Sequence, residues 1–333
     1  MLAYEKSDRA IHMQSLCGAA LILFPGIIRG IGTGLTKIKE DLEPYFTSMV
    51  AGGQYPLFHT EKERKMDDDI TVSVIMPVYN PEGDELRRAV ASVLDQSFRD
   101  FELVICDDHS KEYVKEVIDE FSDQRIVYIR NEKNSGCAYS LNRCIEAARG
   151  ELLIRQDSDD YSLPGRFEKI ISEYKKEGRD IISSNIILFD EKGEWGHRDY
   201  PKTPLKKDFL FAVPFMHGAC ALKKTSVVNA GMYPVSDKTA RCEEYALFMT
   251  MYSLGARGIN IEDRLYAFNE NHAAVKRRKY SDKIKEVKVK AEGFKKLKLY
   301  PAGFIYLAKP LIVGLIPSGA LAKLKDLVFG RRK

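Results

Sequence analysis

Three carboxylates fall within five residues in the run Gln156-Asp157-Ser158-Asp159-Asp160. The preceding apolar run, Leu152-Leu153-Ile154, offers no group that could neutralise them. Carboxylates at this spacing repel one another, and a divalent cation relieves the repulsion while attracting a polyanionic ligand. The cluster therefore predicts a metal-dependent enzyme acting on a phosphate-bearing donor. A solvated turn that caps the following helix is the alternative, because Asp and Ser are common at such positions.

The segments around this cluster alternate between strand and helix patterns. Short apolar runs rich in β-branched residues predict buried strands at 71–77, 101–106, 126–129 and 152–154. Apolar residues at helical spacing predict helices at 85–96, 111–121, 134–148 and 164–176. Small and apolar residues at 215–222 predict a further strand that lines a pocket. This alternation indicates an α/β fold with a doubly wound, mostly parallel sheet and helices on both faces.

Polar side chains follow three of these strands, at the point where each strand ends. They are Tyr79-Asn80, Asp107-Asp108 and the acidic cluster at 157–160. Ligands of such sheets bind outside the carboxyl ends of the strands, so the three segments are expected to meet there. Any one of them alone could be a turn, but their convergence predicts a site.

A fourth acidic segment, Glu243-Glu244-Tyr245, precedes an apolar helical run. Two acidic residues in the first turn of a helix are favoured by the helix dipole, which is a structural explanation. A general base facing the pocket is the functional one.

The ordered set of these motifs resembles family-two glycosyltransferases of the GT-A fold. The resemblance covers about residues 70–272 and is far more specific as a set than any single motif. It is carried by Ile75-Met76-Pro77-Val78-Tyr79-Asn80, Cys106-Asp107-Asp108-His109-Ser110, Asn134-Ser135-Gly136 with Leu141-Asn142, Asp157-Ser158-Asp159-Asp160 with Pro164 and Arg166, and Glu243-Glu244-Tyr245.

The resemblance implies an inverting transfer of a hexosyl or N-acetylhexosaminyl group from a nucleotide-diphosphate sugar, usually a UDP-sugar. It also implies that Pro77, Tyr79 and Asn80 line the nucleotide pocket. Asp107 would hydrogen-bond the base, which is usually uracil.

The acidic cluster matches the D-x-D element of the family. By resemblance, Asp159 would ligate Mg²⁺ or Mn²⁺ bridging the diphosphate, and Asp157 would lie near the ribose and the donor sugar. His272 resembles a late histidine that lies near the metal in some members, although a lone histidine is more often a polar surface residue. Arg155 or Arg166 could contact phosphate, or could be surface or capping arginines.

The chain departs from the family pattern at the expected base. That residue is ordinarily an aspartate preceded by a glutamate, whereas Glu244 follows Glu243 here. We assign the base to Glu244, although one extra methylene changes its reach and a displacement of about 1 Å can matter in catalysis. The Gln/Arg/Trp element of processive synthases is missing, since the single tryptophan is Trp195 in a predicted turn. This predicts the addition of one sugar to a glycan or lipid-linked glycan acceptor of the cell surface.

Two other functions remain open from the sequence. A nucleotidyltransferase shares the sheet type, but it should carry a Gly-rich loop with Arg and Lys after the first strand, and residues 78–83 do not. A non-catalytic nucleotide-sugar or glycan-binding module is compatible with the unusual base. A Rossmann dehydrogenase is disfavoured because no G-x-G-x-x-G follows the first strand.

Composition divides the chain into three regions. Residues 1–69 form an N-terminal extension without a readable chemical signature, residues 70–272 the catalytic domain, and residues 273–333 a basic amphipathic C-terminal region. Residues 270–333 contain 17 Lys/Arg and 5 Asp/Glu, which leaves 35 and 43 for the rest. The basic region predicts contact with an anionic membrane surface, or a domain-closing helix with a charged face. Nucleic acid is not expected, since no binding module accompanies the charge.

The basic region is expected to hold a helix at 280–298 and two apolar pieces separated by Lys309-Pro310. Six scattered cysteines without a C-x-x-C pair read as buried thiols of a reducing compartment. The start Met1-Leu2-Ala3-Tyr4-Glu5 lacks the basic opening of a secretion signal. These features predict a cytoplasmic protein, peripheral on the inner face of the cell membrane.

Overall fold

The structure is a computed structural model, and it describes residues 70–111, 113–270, 280–316 and 328–329. The strands in these residues are β1 Val72–Val78, β2 Phe101–Asp107, β3 Ile126–Arg130, β4 Leu152–Arg155, β5 Tyr161–Ser162, β6 Ile181–Asp190, β7 Gly193–Arg198, β8 Ala221–Lys223 and β9 Gly258–Asn269. The helices are α1 Gly83–Leu94, α2 Tyr113–Asp119, α3 Cys137–Ala147, α4 Arg166–Glu177, α5 Lys224–Asn229, α6 Glu243–Ser253, α7 Tyr280–Lys296 and α8 Gly303–Gly314. Two short 3-10 helices cover Lys206–Leu210 and His217–Ala219.

All strands of the described residues join one sheet in the order β3-β2-β1-β4-β8-β6-β9-β5, with β7 paired to β6. The long ladders β1/β2, β2/β3 and β6/β9 are parallel, as is β1/β4. Antiparallel pairing is confined to β5, β7 and β8. The predicted α/β fold with a mostly parallel sheet is therefore confirmed, and the antiparallel strands extend it on the side of β4 away from β1.

Helices cover both faces of the sheet, as predicted. One layer, built from α1, α2 and α4, buries Leu86, Val90, Val114 and Phe167 against alternate residues of β1, β2 and β4. On the other face α3 buries Leu141 and Cys144, and the Cys144 thiol lies 3.6 Å from the carbonyl oxygen of Val104. Strands buried on both faces read as continuous apolar runs, which is why the sequence marks them clearly.

The predicted strand at 215–222 is wrong for most of its length. Residues 217–219 form a 3-10 helix, and only Ala221–Lys223 pairs with the sheet. The backbone of Gly218 is packed so closely against Asp157 and Tyr266 that a Cβ there would lie 2.7 Å from a polar atom of each. This tight contact replaces an extended strand with a turn.

The C-terminal helices pack on the rest of the fold. Helix α7 lies against α6, where a Cβ on Gly293 would overlap the side chain of Met249. The expected interruption at Lys309-Pro310 is wrong, because α8 runs through Pro310 as one helix. None of the helices in the described residues is long and apolar enough to cross a bilayer.

Candidate functional site

The three polar segments predicted to converge do lie along one edge of the sheet. In the parallel ladders Val78 pairs with Asp107, and Ile75 pairs with Arg155. Strands β1 and β2 therefore end level, β4 ends opposite Ile75 near the same edge, and the backbone nitrogen of Asp108 donates to the carbonyl of Val78 at 2.8 Å. This edge is the carboxyl end of β1, β2 and β4, where ligands of parallel sheets bind.

The first segment is a loop with an exposed aromatic ring. Tyr79 is 54% exposed, while Pro77 is half-buried. The backbone nitrogen of Asn80 donates to Ser110 Oγ at 2.9 Å, and Asn80 Oδ1 accepts from the backbone nitrogen of Lys111 at 3.1 Å. Asn80 thus joins the first two loops, and the ring of Tyr79 is available to stack on a planar group.

The second segment is buried and hydrogen-bonded within the protein. Asp107 is fully buried, and its carboxylate accepts from the backbone nitrogen of Ser110 and from the hydroxyl of Tyr128, each at 2.7 Å. Nε of Arg130 lies 3.5 Å from Oδ2 of Asp107. The carboxylate is buried and already accepts one hydrogen bond at each oxygen, and the assignment of Asp107 to the base stays a prediction.

The Asn134-Ser135-Gly136 motif binds the carboxylate of Asp108, which gives it a structural role. This carboxylate accepts from Asn131 Nδ2 and from the backbone nitrogens of Ser135 and Gly136, each at 2.8 Å. The second loop is therefore tied to the start of α3, and the two acids of the pair both hold the shape of the site.

The acidic cluster is the third segment, and its charges raise one another's pKa values. Desolvation, together with the charge of Asp157, raises the pKa of Asp159 to about 6. Burial and the charges of Asp159 and Asp157 also raise the pKa of Asp160 well above its usual value. Asp160 is fully buried and its Oδ1 accepts from the backbone of Asn269 at 2.7 Å, while its Oδ2 has no hydrogen-bond partner.

This donor set fits a hard divalent cation. Crowded carboxylate oxygens, one of them buried without a partner, are the ligands that Mg²⁺ and Mn²⁺ prefer, and a bound cation would reverse the rise in their pKa values. Within the described residues no three His, Cys, Asp or Glu side chains form a ready metal cage. The predicted ligand His272 lies outside the described residues.

Two buried arginines support the cluster, and the sequence does not reveal their burial. Nη2 of Arg155 lies 2.6 Å from Oδ1 of Asp157, and Arg155 is only 4% exposed. Its Nε and Nη1 are buried without hydrogen-bond partners. Arg166 is fully buried and donates to Ser162 Oγ at 2.7 Å and to the carbonyl of Arg155 at 2.8 Å. Arg166 is thus an internal cross-link, and neither arginine is a surface residue.

Four further residues at the site were not singled out from the sequence: His217, Gly218, Tyr233 and Tyr266. The hydroxyl of Tyr266 accepts from the backbone nitrogen of Asp157 at 3.1 Å. Nε2 of His217 lies 2.8 Å from the hydroxyl of Tyr233. Burial and the nearby charge of Arg155 hold the pKa of His217 well below its usual value, so this imidazole is neutral. The pocket-lining prediction at 215–222 covered His217 and Gly218, whereas no sequence signal pointed to Tyr233 or Tyr266.

Glu243 and Glu244 begin α6, as predicted, and both are half-buried. Burial raises the pKa of Cys220 to about 12, with Arg155 lowering it and Glu244 raising it. The same two charges act on the hydroxyl of Tyr233, whose pKa is raised chiefly by burial. Glu244 and Arg155 therefore act on the same two buried side chains.

Comparison with known proteins agrees with this geometry. The family model described as glycosyl transferase family 2 matches residues 73–231. EpsE of Bacillus subtilis, which is named as a glycosyltransferase, is 33% identical over 261 residues, covering 77% of this chain and 93% of EpsE. The UDP-Glc:alpha-D-GlcNAc-diphosphoundecaprenol beta-1,3-glucosyltransferase WfaP of Escherichia coli is 27% identical over 235 residues, covering 67% and 87%.

Solved structures share the fold. S. aureus TarS 1–349 in complex with UDP-GlcNAc has a TM-score of 0.57 at 16% identity, covering 78% of this chain and 75% of that chain. The mannosyltransferase PcManGT of Pyrobaculum calidifontis, in complex with GDP-Man and Mn²⁺, has a TM-score of 0.51 at 18% identity, covering 77% and 79%. These similarities show that the sheet and its helices follow the architecture of glycosyltransferases.

Proposed function

Because the chain belongs to glycosyl transferase family 2, we propose that it moves one sugar from a UDP-sugar to a glycan or lipid-linked glycan acceptor in polysaccharide synthesis. The proposed transfer is of the hexosyl or N-acetylhexosaminyl type. The names of its relatives support this: WfaP uses UDP-Glc and a diphosphoundecaprenol-linked acceptor, and the TarS structure holds UDP-GlcNAc.

One observation carries the proposal. Asp157, Asp159 and Asp160 follow β4, the exposed ring of Tyr79 follows β1 at the same edge of the sheet, and Glu244 lies in the first turn of α6. A nucleotide sugar needs an aromatic or polar surface for its base, compensation for its diphosphate and a proton acceptor beside its sugar. The edge offers side chains suited to all three needs.

In this proposal Pro77, Tyr79 and Asn80 line the nucleotide pocket, and Asp107 reads the base. Asp157 would lie near the ribose and the donor sugar, held by Arg155 at 2.6 Å. The loops carrying these groups are tied together by hydrogen bonds of Asn80 and Asp108.

Asp159 would ligate Mn²⁺ or Mg²⁺, with His272 as a further ligand. The Mn²⁺ in the PcManGT complex supports a divalent ion here. When bound, such an ion stabilises the negative charge that develops on the departing diphosphate. The raised pKa values of Asp159 and Asp160 show that this part of the pocket is poor at holding negative charge unaided.

Glu244 would take the proton from the acceptor hydroxyl. A hydroxyl is far too weak an acid to ionise at neutral pH, and a positioned base contributes about 10²–10⁴-fold to such a step. Attack from the face of the sugar opposite the leaving diphosphate inverts the anomeric configuration. Arg155, whose charge acts on the neutral His217, would orient the sugar through its two buried nitrogens without hydrogen-bond partners.

The three regions have distinct parts in this proposal. Residues 70–272 would form the catalytic domain, and residues 273–333 would associate with the inner face of the cell membrane, where a lipid-linked acceptor is found. No part is proposed for residues 1–69.

The test is a screen of nucleotide sugars for release of the nucleoside diphosphate in the presence of Mn²⁺ or Mg²⁺. The proposal expects release with at least one UDP-sugar, and loss of release on addition of EDTA or in Asp159→Ala. Release that survives both changes would refute the metal-dependent mechanism. Binding of UDP without turnover of any donor would instead favour a non-catalytic module.

A further inference from the structure

Helix α8 exposes a continuous apolar stripe on an otherwise packed helix. Its large exposed side chains are Phe304 at 45%, Ile305 at 65%, Ile312 at 42% and Leu315, which caps the helix, at 61%. With 3.6 residues per turn, positions 304, 308, 311, 312 and 315 fall on one face, which residue 305 borders. The six residues Phe304, Ile305, Ala308, Leu311, Ile312 and Leu315 define the α8 stripe.

The opposite face of α8 holds the helix to the protein. Leu307 and Pro310 are buried there, and Tyr306 contacts the ring of Phe211 at a centroid distance of 4.7 Å. Lys309 turns inward, with its Nζ 2.9 Å from the carbonyl oxygen of Phe211. The single charge of this helix is therefore turned toward the protein, and the α8 stripe consists of apolar side chains alone.

Lysines lie near both ends of the stripe. Residues 280–316 contain eight lysines and three acidic residues, although Lys290 is buried and Lys309 is turned inward. At one end Lys295, Lys296 and Lys298 are exposed just before α8 begins. At the other end a Cβ on Gly314 would lie 3.0 Å from the side chains of Lys283 and Tyr280. An apolar stripe bordered by lysines and a tyrosine is suited to the headgroup region of an anionic bilayer.

Contacts also connect the stripe with the start of α6. Its Leu315 end lies beside the first turn of α7, where Asp282 pairs with Arg241 at 3.7 Å. Arg241 stands two residues before Glu243, at the start of α6. A short series of contacts therefore links the stripe to the proposed base.

We propose that the α8 stripe docks the protein on an anionic phospholipid surface and thereby presents Glu244 to an acceptor anchored in that surface. The evidence for docking is the set of exposed apolar side chains together with the lysines. Only the acceptor rests on the proposed function. Because vesicle binding requires no turnover, its failure and the failure of the transferase proposal are separate results.

The test is sedimentation of the full chain with vesicles of phosphatidylglycerol and phosphatidylcholine in equal parts. The wild type is expected to sediment with these vesicles, and far less with phosphatidylcholine alone. Ile305→Asp and Ile312→Asp should each weaken binding by about tenfold or more, since a carboxylate must enter the headgroup region. Val228→Asp is the matched control, because Val228 is 48% exposed on α5, outside the stripe, and its binding should be unchanged.

The proposal would be overturned if a second copy of the chain, or residues 317–333 of the same chain, covered the α8 stripe. Sedimentation velocity of the same variants shows whether the stripe joins two copies of the chain. In that case the wild type is a dimer that does not bind vesicles, and Ile305→Asp is a monomer. Removal of residues 317–333 shows whether that segment covers the stripe, in which case only the shortened chain binds. Wild-type binding that Ile305→Asp leaves unchanged would also contradict docking through α8. Thermal melting of each variant checks that it is folded.

Discussion

Nη2 of Arg155 lies 2.6 Å from Oδ1 of Asp157, and this ion pair fixes the first acid of the cluster to the end of β4. Arg155 is nearly fully buried, and the charge of Asp157 is the main influence that keeps its pKa raised against desolvation. A buried cation with two unpartnered N–H groups is costly unless a ligand completes its hydrogen bonds. The pair therefore connects the stability of the fold with the chemistry of the site.

Replacement of Arg155 should lower both the stability of the fold and the turnover of the donor. Arg155→Gln leaves Asp157 without its partner and is expected to lower the free energy of unfolding by about 3 kcal/mol and donor turnover by more than about 100-fold. Arg155→Lys keeps the positive charge but loses the planar guanidinium, whose N–H groups can bind more than one acceptor. We therefore expect this variant to recover stability more than turnover. Urea unfolding and the rate of nucleotide release measure the two effects.

Arg149→Gln is the matched control for this pair. Arg149 also bonds a carboxylate, that of Glu102 at 2.9 Å, but its side chain is 81% exposed. Glu102 is buried, but it keeps its hydrogen bonds from Ser73 and from the backbone of Arg149 when the exposed guanidinium is removed, so the loss should be about 1 kcal/mol or less. Equal losses in the Arg155 and Arg149 variants would contradict a special role for the buried pair.

Gly218 should tolerate no side chain. A Cβ at this position would lie 2.7 Å from Oδ2 of Asp157 and 2.7 Å from the hydroxyl of Tyr266. Gly218→Ala is expected to displace Asp157 and to reduce turnover about 10–100-fold, since small displacements of reacting groups are costly. Gly83→Ala is the control, because its Cβ would meet only the far end of the Arg87 side chain at 3.3 Å. A Gly218→Ala enzyme with full kcat and KM would show that Asp157 need not stay in place.

The two glutamates of α6 should differ in function. Glu244→Gln is expected to reduce transfer by at least about 100-fold while leaving UDP affinity unchanged, because a base contributes to the chemical step and not to nucleotide binding. Glu244→Asp restores the residue usual for the family and should retain activity. Glu243→Gln is the control with the neighbouring carboxylate removed. The assignment is reversed if Glu243→Gln, and not Glu244→Gln, abolishes transfer.

The sequence predicted the elements from 70 to 177 well, because β-branched strands buried on both faces and one-sided helices leave strong local patterns. It did not predict β5 and it misplaced β8 within a longer strand at 215–222, since strands of two and three residues are too short to show a period. Residues at the tips of β1, β2 and β4 were found because the parallel ladder fixes where each strand ends.

The residues that sequence reasoning missed depend on distant partners. Arg166 is buried because the carbonyls of Arg155 and Gly218, 11 and 52 residues away, accept its N–H groups. Pro310 does not end α8: Tyr306 and Lys309 before it contact Phe211, and Gly314 after it lies against the side chains of Lys283 and Tyr280. No local pattern encodes contacts of this kind.

Lys290 should make the free energy of unfolding depend on pH in the alkaline range. It is fully buried in α7, with its Nζ 3.3 Å from the carbonyl oxygens of Leu210 and Phe211, and burial lowers its pKa from 10.5 to about 8. Between these values the unfolded chain binds more protons than the folded one, so the contribution of Lys290 to stability increases with pH.

The measurement is urea unfolding of the wild type and Lys290→Met across this pH range. The free energy of unfolding of the wild type, relative to that of Lys290→Met, should increase by on the order of 1–3 kcal/mol between pH 8 and 10.5. Lys298→Met, at an exposed lysine, should show no such change. A pH-independent difference for Lys290→Met would mean that this lysine stays charged inside the protein.

The most direct test of the central claim is calorimetric titration of UDP into the protein with Mn²⁺ and with EDTA. If the acidic cluster holds a cation that binds the diphosphate, Mn²⁺ should strengthen UDP binding by about tenfold or more in the wild type. Asp159→Asn should lose this increment, while Asp84→Asn, at a side chain that is 99% exposed, should keep it. Equal UDP affinity with Mn²⁺ and with EDTA, or an increment that survives in Asp159→Asn, would contradict the account.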